Sequence, residues 1–265
     1  MRRNHLRDVL ESGEPAVSGW MSIDSTYLAE VLSYCGYDAV VVDLQHGMFG
    51  LDAAIPLLQA VSAGPAVPMA RVPTNDAATI GKLLDGGAYG IICPAVDTAD
   101  QATAFVAACR YPPRGLRSFG PARGLLYGGP DYVEHTDETV LTWAMIESAA
   151  GLADLDAILS VPGLDGVYVG PHDLALSLGE APGQSTPPPA VFRALVDVAA
   201  AARAARRWAG VFCADPTLAR TMVEIGYHLV TPGNDAGIIR TTALERIALT
   251  RGPATPDHQH DRHGS

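Results

Sequence analysis

Lysine is almost absent from this chain: among 18 basic residues the single lysine is Lys82. It stands mid-helix in "IGKLLDGG", on an outer face, which excludes chemistry that runs through a lysine Schiff base. Positive charge is scarce as a whole. Eighteen Lys and Arg against 29 Asp and Glu give a formal net charge of −11, which argues against a nucleic-acid binder. An anion could then be held only by a local device: an arginine, a metal ion or a helix N-terminus. Cys35, Cys93, Cys109 and Cys213 show no C-x-x-C spacing, as expected of reduced thiols in a cytoplasmic protein. There is no G-x-S-x-G for a serine hydrolase, and no G-x-G-x-x-G follows the first strand. No apolar run is long enough to span a bilayer. The opening "MRRNHLRDVLESGEP" has basic residues but no apolar core, so it does not read as a signal peptide.

What is present is a globular composition, 48% hydrophobic and 18% charged over 265 residues. Apolar strands alternate with helical patterns. Strands are expected at 16–21, 37–44, 66–72, 89–96, 141–147, 164–170, 208–213 and 227–233. Helices are expected at 24–36, 51–64, 74–87, 98–111, 148–160, near 189–206, at 215–226 and at 235–249, with 112–135 irregular. Eight strand–helix pairs without a composition break predict one α/β domain over 1–252, a (β/α)₈ TIM barrel. An open doubly wound sheet is the alternative. The tail 253–265, rich in Pro, His and charge, is expected to be disordered, with His258, His260 and His263 at most adventitious metal binders.

The second strand, "VVVDLQHG", stops abruptly at polar residues: Asp43, Gln45 and His46. In a barrel, strand ends line the C-terminal mouth, where the chemistry sits. The third strand ends in Arg71, the fifth in Glu147, and the sixth runs into "GPHD" with Asp173. Taken singly, each has a bland reading. Asp43 reads equally as a helix cap, His46 as a structural hydrogen-bonder and Arg71 as the partner of a core acid. Glu147 is harder to dismiss, because an unpaired carboxylate after buried apolar residues is costly. Neighbouring strands lie roughly 4.8 Å apart, so Glu147 and Asp173 can converge on one hard cation, Mg²⁺ or Mn²⁺.

Such a cation, chelated by a 2-oxo acid, acidifies the adjacent carbon and stabilises the enolate. Arg71 would hold the carboxylate or the enolate oxygen. His46 would carry the proton, with Asp43 orienting its ring.

With these residues in view, the sequence resembles the metal-dependent class II pyruvate aldolases of the 4-hydroxy-2-oxoheptanedioate aldolase type, in the HpcH/HpaI family, from about Gly19 to Leu249. The family's Asp-x-Glu-His-Gly stands here as "DLQHG" and its arginine motif as "RVPTND". "DGGAYGIICPAVDTADQA" and "RYPPRGLRSFGPARG" match two further segments, and the metal carboxylates fall in "MIES" and "VGPHDLALSLG". The resemblance implies a TIM barrel and a homohexamer with the last helix exchanged between subunits. It implies Mg²⁺, Mn²⁺ or Co²⁺ on Glu147 and Asp173, pyruvate on Arg71, and proton transfer by His46. Backbone amides from Gly170 through Pro171 to His172 would hold the substrate carboxylate. The reaction implied is reversible cleavage of a 4-hydroxy-2-oxo acid to pyruvate, or a related 2-oxo acid, and an aldehyde. Neither nucleic acid nor membrane is an expected partner.

Gln45 departs from the family glutamate, which removes a negative charge from the mouth and bears on substrate binding. His172 stands where small residues are common and would narrow the aldehyde pocket. Oxaloacetate decarboxylation, a macrophomate-synthase-like condensation, and a barrel that has lost turnover are the competing readings.

Overall fold

Short, β-branched, apolar runs such as "AVVV" (39–42) suit strands buried on both faces, which is what a parallel sheet covered by helices requires. In the computed structural model, described for residues 1–183 and 186–252, eight such strands form a closed barrel in sequence order. They are β1 (Ala16–Met21), β2 (Ala39–Asp43), β3 (Val67–Arg71), β4 (Gly90–Cys93), β5 (Leu141–Ile146), β6 (Gly166–Val169), β7 (Trp208–Cys213) and β8 (Leu229–Pro232). Every neighbouring pair is parallel, and β8 closes on β1. This is the TIM barrel expected from the sequence. The tail 253–265 and its histidines lie outside the described residues.

Side chains alternate along each strand, so two cores form. Val40 and Val42 of β2 pack outward with the helices, beside Ala70 and Ile91. Ala39 and Val41 point inward with Met69, Trp143, Met145 and Tyr168. The inward set continues in steps of two to the end of each strand: Val41 to Asp43, Met69 to Arg71, Trp143 and Met145 to Glu147. The polar residues at the mouth are thus the top layer of the filling that packs the interior. Wide side chains need small neighbours, and a Cβ on Gly166 would come within 2.7 Å of the Trp143 ring.

Four details differ from the sequence reading. The segment before β1 forms a helix, His5–Ser12, whose Leu6 and Leu10 join the inner core. Asn4 caps it and donates to the carbonyls of Tyr89 and Thr139, which places it over the N-terminal end. The stretch expected to be irregular contains helices Ala122–Gly128 and Tyr132–Thr139. The helix expected at 148–160 is two short ones, Ala149–Ala153 and Leu155–Leu159, broken at Asp154. A further helix, Pro171–Ser177, starts directly after β6, with Pro171 in its first turn, where the missing N–H costs nothing. Among the described residues, no helix is long and apolar enough to cross a membrane.

Candidate active site

A cavity of about 850 Å³ opens at the C-terminal ends of the strands. Its floor is built on β2 and β3, whose register sets Asp43 directly beside Arg71. Arg71 donates from Nε to Asp43 Oδ1 at 2.8 Å and from Nη2 to Oδ2 at 2.6 Å. The indole Nε1 of Trp20 donates to the same Oδ2 at 3.0 Å, and the Arg71 guanidinium lies over the Trp20 ring, 4.8 Å from its centroid. Burial pushes the Asp43 carboxyl up, but the bonds and charge of Arg71 and the Trp20 indole outweigh it and hold the carboxyl below its ordinary range. Asp43 Oδ1 also accepts the backbone N–H of Gln45 and of His46. The expected partner of Asp43 was the His46 ring; its oxygens serve Arg71, Trp20 and the turn that carries His46. The imidazole itself lines the cavity.

Glu147 follows β5 and is 8% exposed. Its Oε1 accepts the Ala95 N–H at 2.7 Å, while Oε2 is buried without a hydrogen-bond partner. Burial raises its pKa, and the nearby Asp173 charge adds to the rise. A Cβ on Gly170 would sit 2.7 Å from Glu147 Oε2, so glycine there leaves the carboxylate its room. Asp173 is in the first turn of Pro171–Ser177 and lines the cavity. A buried oxygen with no donor, next to a second carboxylate, fits a divalent cation, which would satisfy both. No cluster of three or more His, Cys, Asp or Glu that could hold a metal ion is found among the described residues.

A family profile described as HpcH/HpaI aldolase/citrate lyase matches residues 18–241. The chain belongs to this family. It is therefore a carbon–carbon lyase of the aldolase kind. A hydroxypyruvate/pyruvate aldolase from Rhizorhabdus wittichii is 43% identical over 248 residues, covering 94% of this chain and 99% of the relative. A 4-hydroxy-2-oxo-heptane-1,7-dioate aldolase from Salmonella dublin is 34% identical, covering 93% and 92%. Among solved structures, an HpcH/HpaI aldolase/citrate lyase family protein from Burkholderia cenocepacia superposes with a TM-score of 0.86 at 30% identity, covering 93% of this chain and 98% of that one.

Within this HpcH/HpaI barrel, Gly170, Pro171 and His172 line the cavity. His172 uses Nε2 on the Gly183 carbonyl at 3.0 Å. Gln45 does not line it; its Oε1 is buried without a partner. Lys82 stays on the outer helix Ala77–Asp85, exposed. The sequence reading missed Trp20 and Phe212, which stack edge to face at 5.7 Å and both line the cavity. Their signal was positional: each is an inward residue near the end of its strand.

Proposed function

We propose that this protein catalyses reversible aldol cleavage of a 4-hydroxy-2-oxo acid to pyruvate, or a related 2-oxo acid, and an aldehyde. The observation that carries it is the buried, unpartnered Glu147 Oε2 next to Asp173, beside an arginine whose fork is only partly used. The relatives' printed names, hydroxypyruvate/pyruvate aldolase and 4-hydroxy-2-oxo-heptane-1,7-dioate aldolase, support the same substrate class.

Glu147 and Asp173 would hold Mg²⁺, Mn²⁺ or Co²⁺, which supplies Lewis-acid polarisation of a 2-oxo acid when bound. Arg71 has five N–H donors, and two are on Asp43. Arg71 lines the cavity, and the remaining three would grip the substrate carboxylate or the oxygen that becomes anionic. Asp43 fixes the plane of that fork, and Trp20 covers it. Pro171 has no N–H, so the free amides at this helix start belong to His172 and Asp173, and these orient the carboxylate. In cleavage the C4 hydroxyl gives up its proton, the C3–C4 bond breaks, and its electron pair passes to C3 as the enolate of pyruvate. A proton then returns to C3. His46, at the solvent side of the cavity, takes the first proton and supplies the second.

Assembly beyond the monomer, a homohexamer by the resemblance, is part of the same reading. Of the C-terminal helix Asp235–Arg251, Asp235 alone is buried, while Ile239 and Leu244 are about half exposed. The test of the function is an assay of pyruvate against a panel of aldehydes with Mg²⁺, Mn²⁺ or Co²⁺ added. Condensation with at least one aldehyde is expected; none at all would remove the reading.

A further inference from the structure

We infer that Ala95, which does not line the cavity, is a positioning residue: its left-handed backbone holds one oxygen of the Glu147 carboxylate so that the other is free for the cation. The inference rests on the aldolase reading above and concerns how this chain builds its metal site. Among the described residues, two that are not glycine have a positive φ, Ala95 at +52° and Arg206 at +55°. Arg206 comes just after the helix Pro189–Ala204, where a left-handed residue is a common way to end a helix. Ala95 ends no helix. It lies between β4 and the helix Ala99–Cys109, in "CPAVDT". In the left-handed region a Cβ crowds the following carbonyl oxygen, a cost that glycine escapes and alanine does not. Such a conformation persists only where its surroundings over-determine it.

Both flanks of Ala95 are pinned. Pro94 is buried, with its φ fixed by the ring. Val96 is buried among the outer core residues and donates its N–H to the Met145 carbonyl at 3.2 Å. Asp97 donates its N–H to Gln101 Oε1 at 2.7 Å, and its Oδ1 accepts the Ser148 hydroxyl. The Ala99 N–H goes to Asp154 Oδ2 at 2.8 Å. The loop after β4 is thereby tied to the segment that carries Glu147. The Ala95 side chain is exposed, so no packing of its methyl group explains the strained turn.

What the turn delivers is an N–H. The Ala95 amide meets Glu147 Oε1 at 2.7 Å, the one hydrogen bond to that carboxyl among the described residues. With Oε1 held on one side, Oε2 is left on the other, where Gly170 gives it room. A hard cation then finds one oxygen already in place, and the glutamate side chain has little rotamer freedom left to lose on binding. The strain at Ala95 is thus spent on the direction of a ligand two strand-ends away in sequence.

The experiment titrates the full-length, metal-stripped protein with Mn²⁺ and reads free Mn²⁺ by its EPR signal, for the wild type, Ala95→Gly, Ala95→Asn and Ala95→Val. Glycine and asparagine tolerate the left-handed region and a β-branched residue does not, while asparagine and valine are close in size. Ala95→Gly and Ala95→Asn should bind within about 3-fold of the wild type, and Ala95→Val about 10-fold or more weakly, because the cation must restore the turn as it binds. Wild-type affinity in Ala95→Val would overturn the inference, as would equal weakening in the asparagine and valine variants, which would report size and not φ. A second measurement leaves position 95 unchanged. In the metal-free protein the Ala95 amide should exchange with solvent deuterium at least about 10-fold faster in Glu147→Ala than in the wild type. Equal exchange rates would overturn the inference even where Ala95→Val does not fold. A wild type that binds no Mn²⁺ overturns the metal site and this inference together; wild-type binding that the valine variant keeps overturns this inference alone.

Discussion

Asp43 and Arg71 sit opposite each other on neighbouring strands and share two hydrogen bonds, 2.8 and 2.6 Å long, in a pocket that exposes 2% and 7% of them. The pair fixes the guanidinium plane without using all its donors. Arg71→Ala should therefore lower both substrate binding and turnover. Removing one partner of a desolvated charged pair costs on the order of 2–5 kcal/mol, roughly 30-fold to several thousand-fold in kcat/KM. Arg71→Lys should recover part of this, because an ammonium cannot reproduce the fork. Steady-state kinetics check it; an unchanged KM and kcat in Arg71→Ala would remove Arg71 from the site.

The Asp43 carboxyl is held below its ordinary range. For an acid with a depressed folded pKa, the stabilisation is complete above the unfolded pKa, about 3.9, and is lost as pH falls through the folded value. Wild type should keep this contribution down to about pH 4 and lose it in more acid solution. Asp43→Asn should be less stable at pH 7 by about 3–5 kcal/mol, and the difference should shrink below pH 4. Denaturant melts across that range decide; a difference that grows in acid has the wrong sign.

Much of this architecture was legible in the sequence. Eight apolar runs broken by helical patterns leave few alternatives to a barrel, and the step of two from Val41 to Asp43 or from Met145 to Glu147 carries the polar set to one end. The partner of Asp43 was not legible, because it depends on cross-strand register, which pairs Asp43 with Arg71 rather than with a residue of its own loop. Trp20 was missed for a related reason: an aromatic at a strand end reads as core until the neighbouring strand shows what its indole N–H meets. Gln45 looked like a wall residue because it lies between Asp43 and His46, yet it does not line the cavity and its Oε1 is buried without a partner. The helix His5–Ser12 shows only two buried leucines among charged residues, too weak a stripe to stand out.

Glu147 is raised by burial, with Asp173 adding to it. For an acid with an elevated folded pKa, stability falls as pH rises from the unfolded pKa through the folded one, because ionisation is more costly in the fold. Without a cation, Glu147→Gln should thus melt at or above the wild type at pH 7. With millimolar Mn²⁺ or Mg²⁺ the wild type should gain about 2.7 kcal/mol of stability at a hundredfold excess over Kd, read as a higher Tm. Glu147→Gln and Asp173→Asn should gain little. Thermal melts read this independently of activity; equal gains in all three proteins would place the cation elsewhere.

The C-terminal helix Asp235–Arg251 is anchored at its root, where Asp235 accepts from the backbone of Ser22 and Ile23 and from the Ser22 hydroxyl. Its remaining turns are exposed, and an isolated helix of this length is marginal in water. Light scattering at micromolar concentration should find an oligomer larger than a dimer. Truncation before Asp235 should break that assembly. A monomeric full-length chain would contradict this.

The central claim, that the site makes an enolate from a 2-oxo acid using Arg71 beside the Glu147–Asp173 pair, is tested most directly by NMR of pyruvate in D₂O with enzyme and Mg²⁺ or Mn²⁺ and no aldehyde. The wild type should exchange the methyl protons for deuterium, and Arg71→Ala should not. A wild-type enzyme that leaves the pyruvate methyl group protonated would contradict the account.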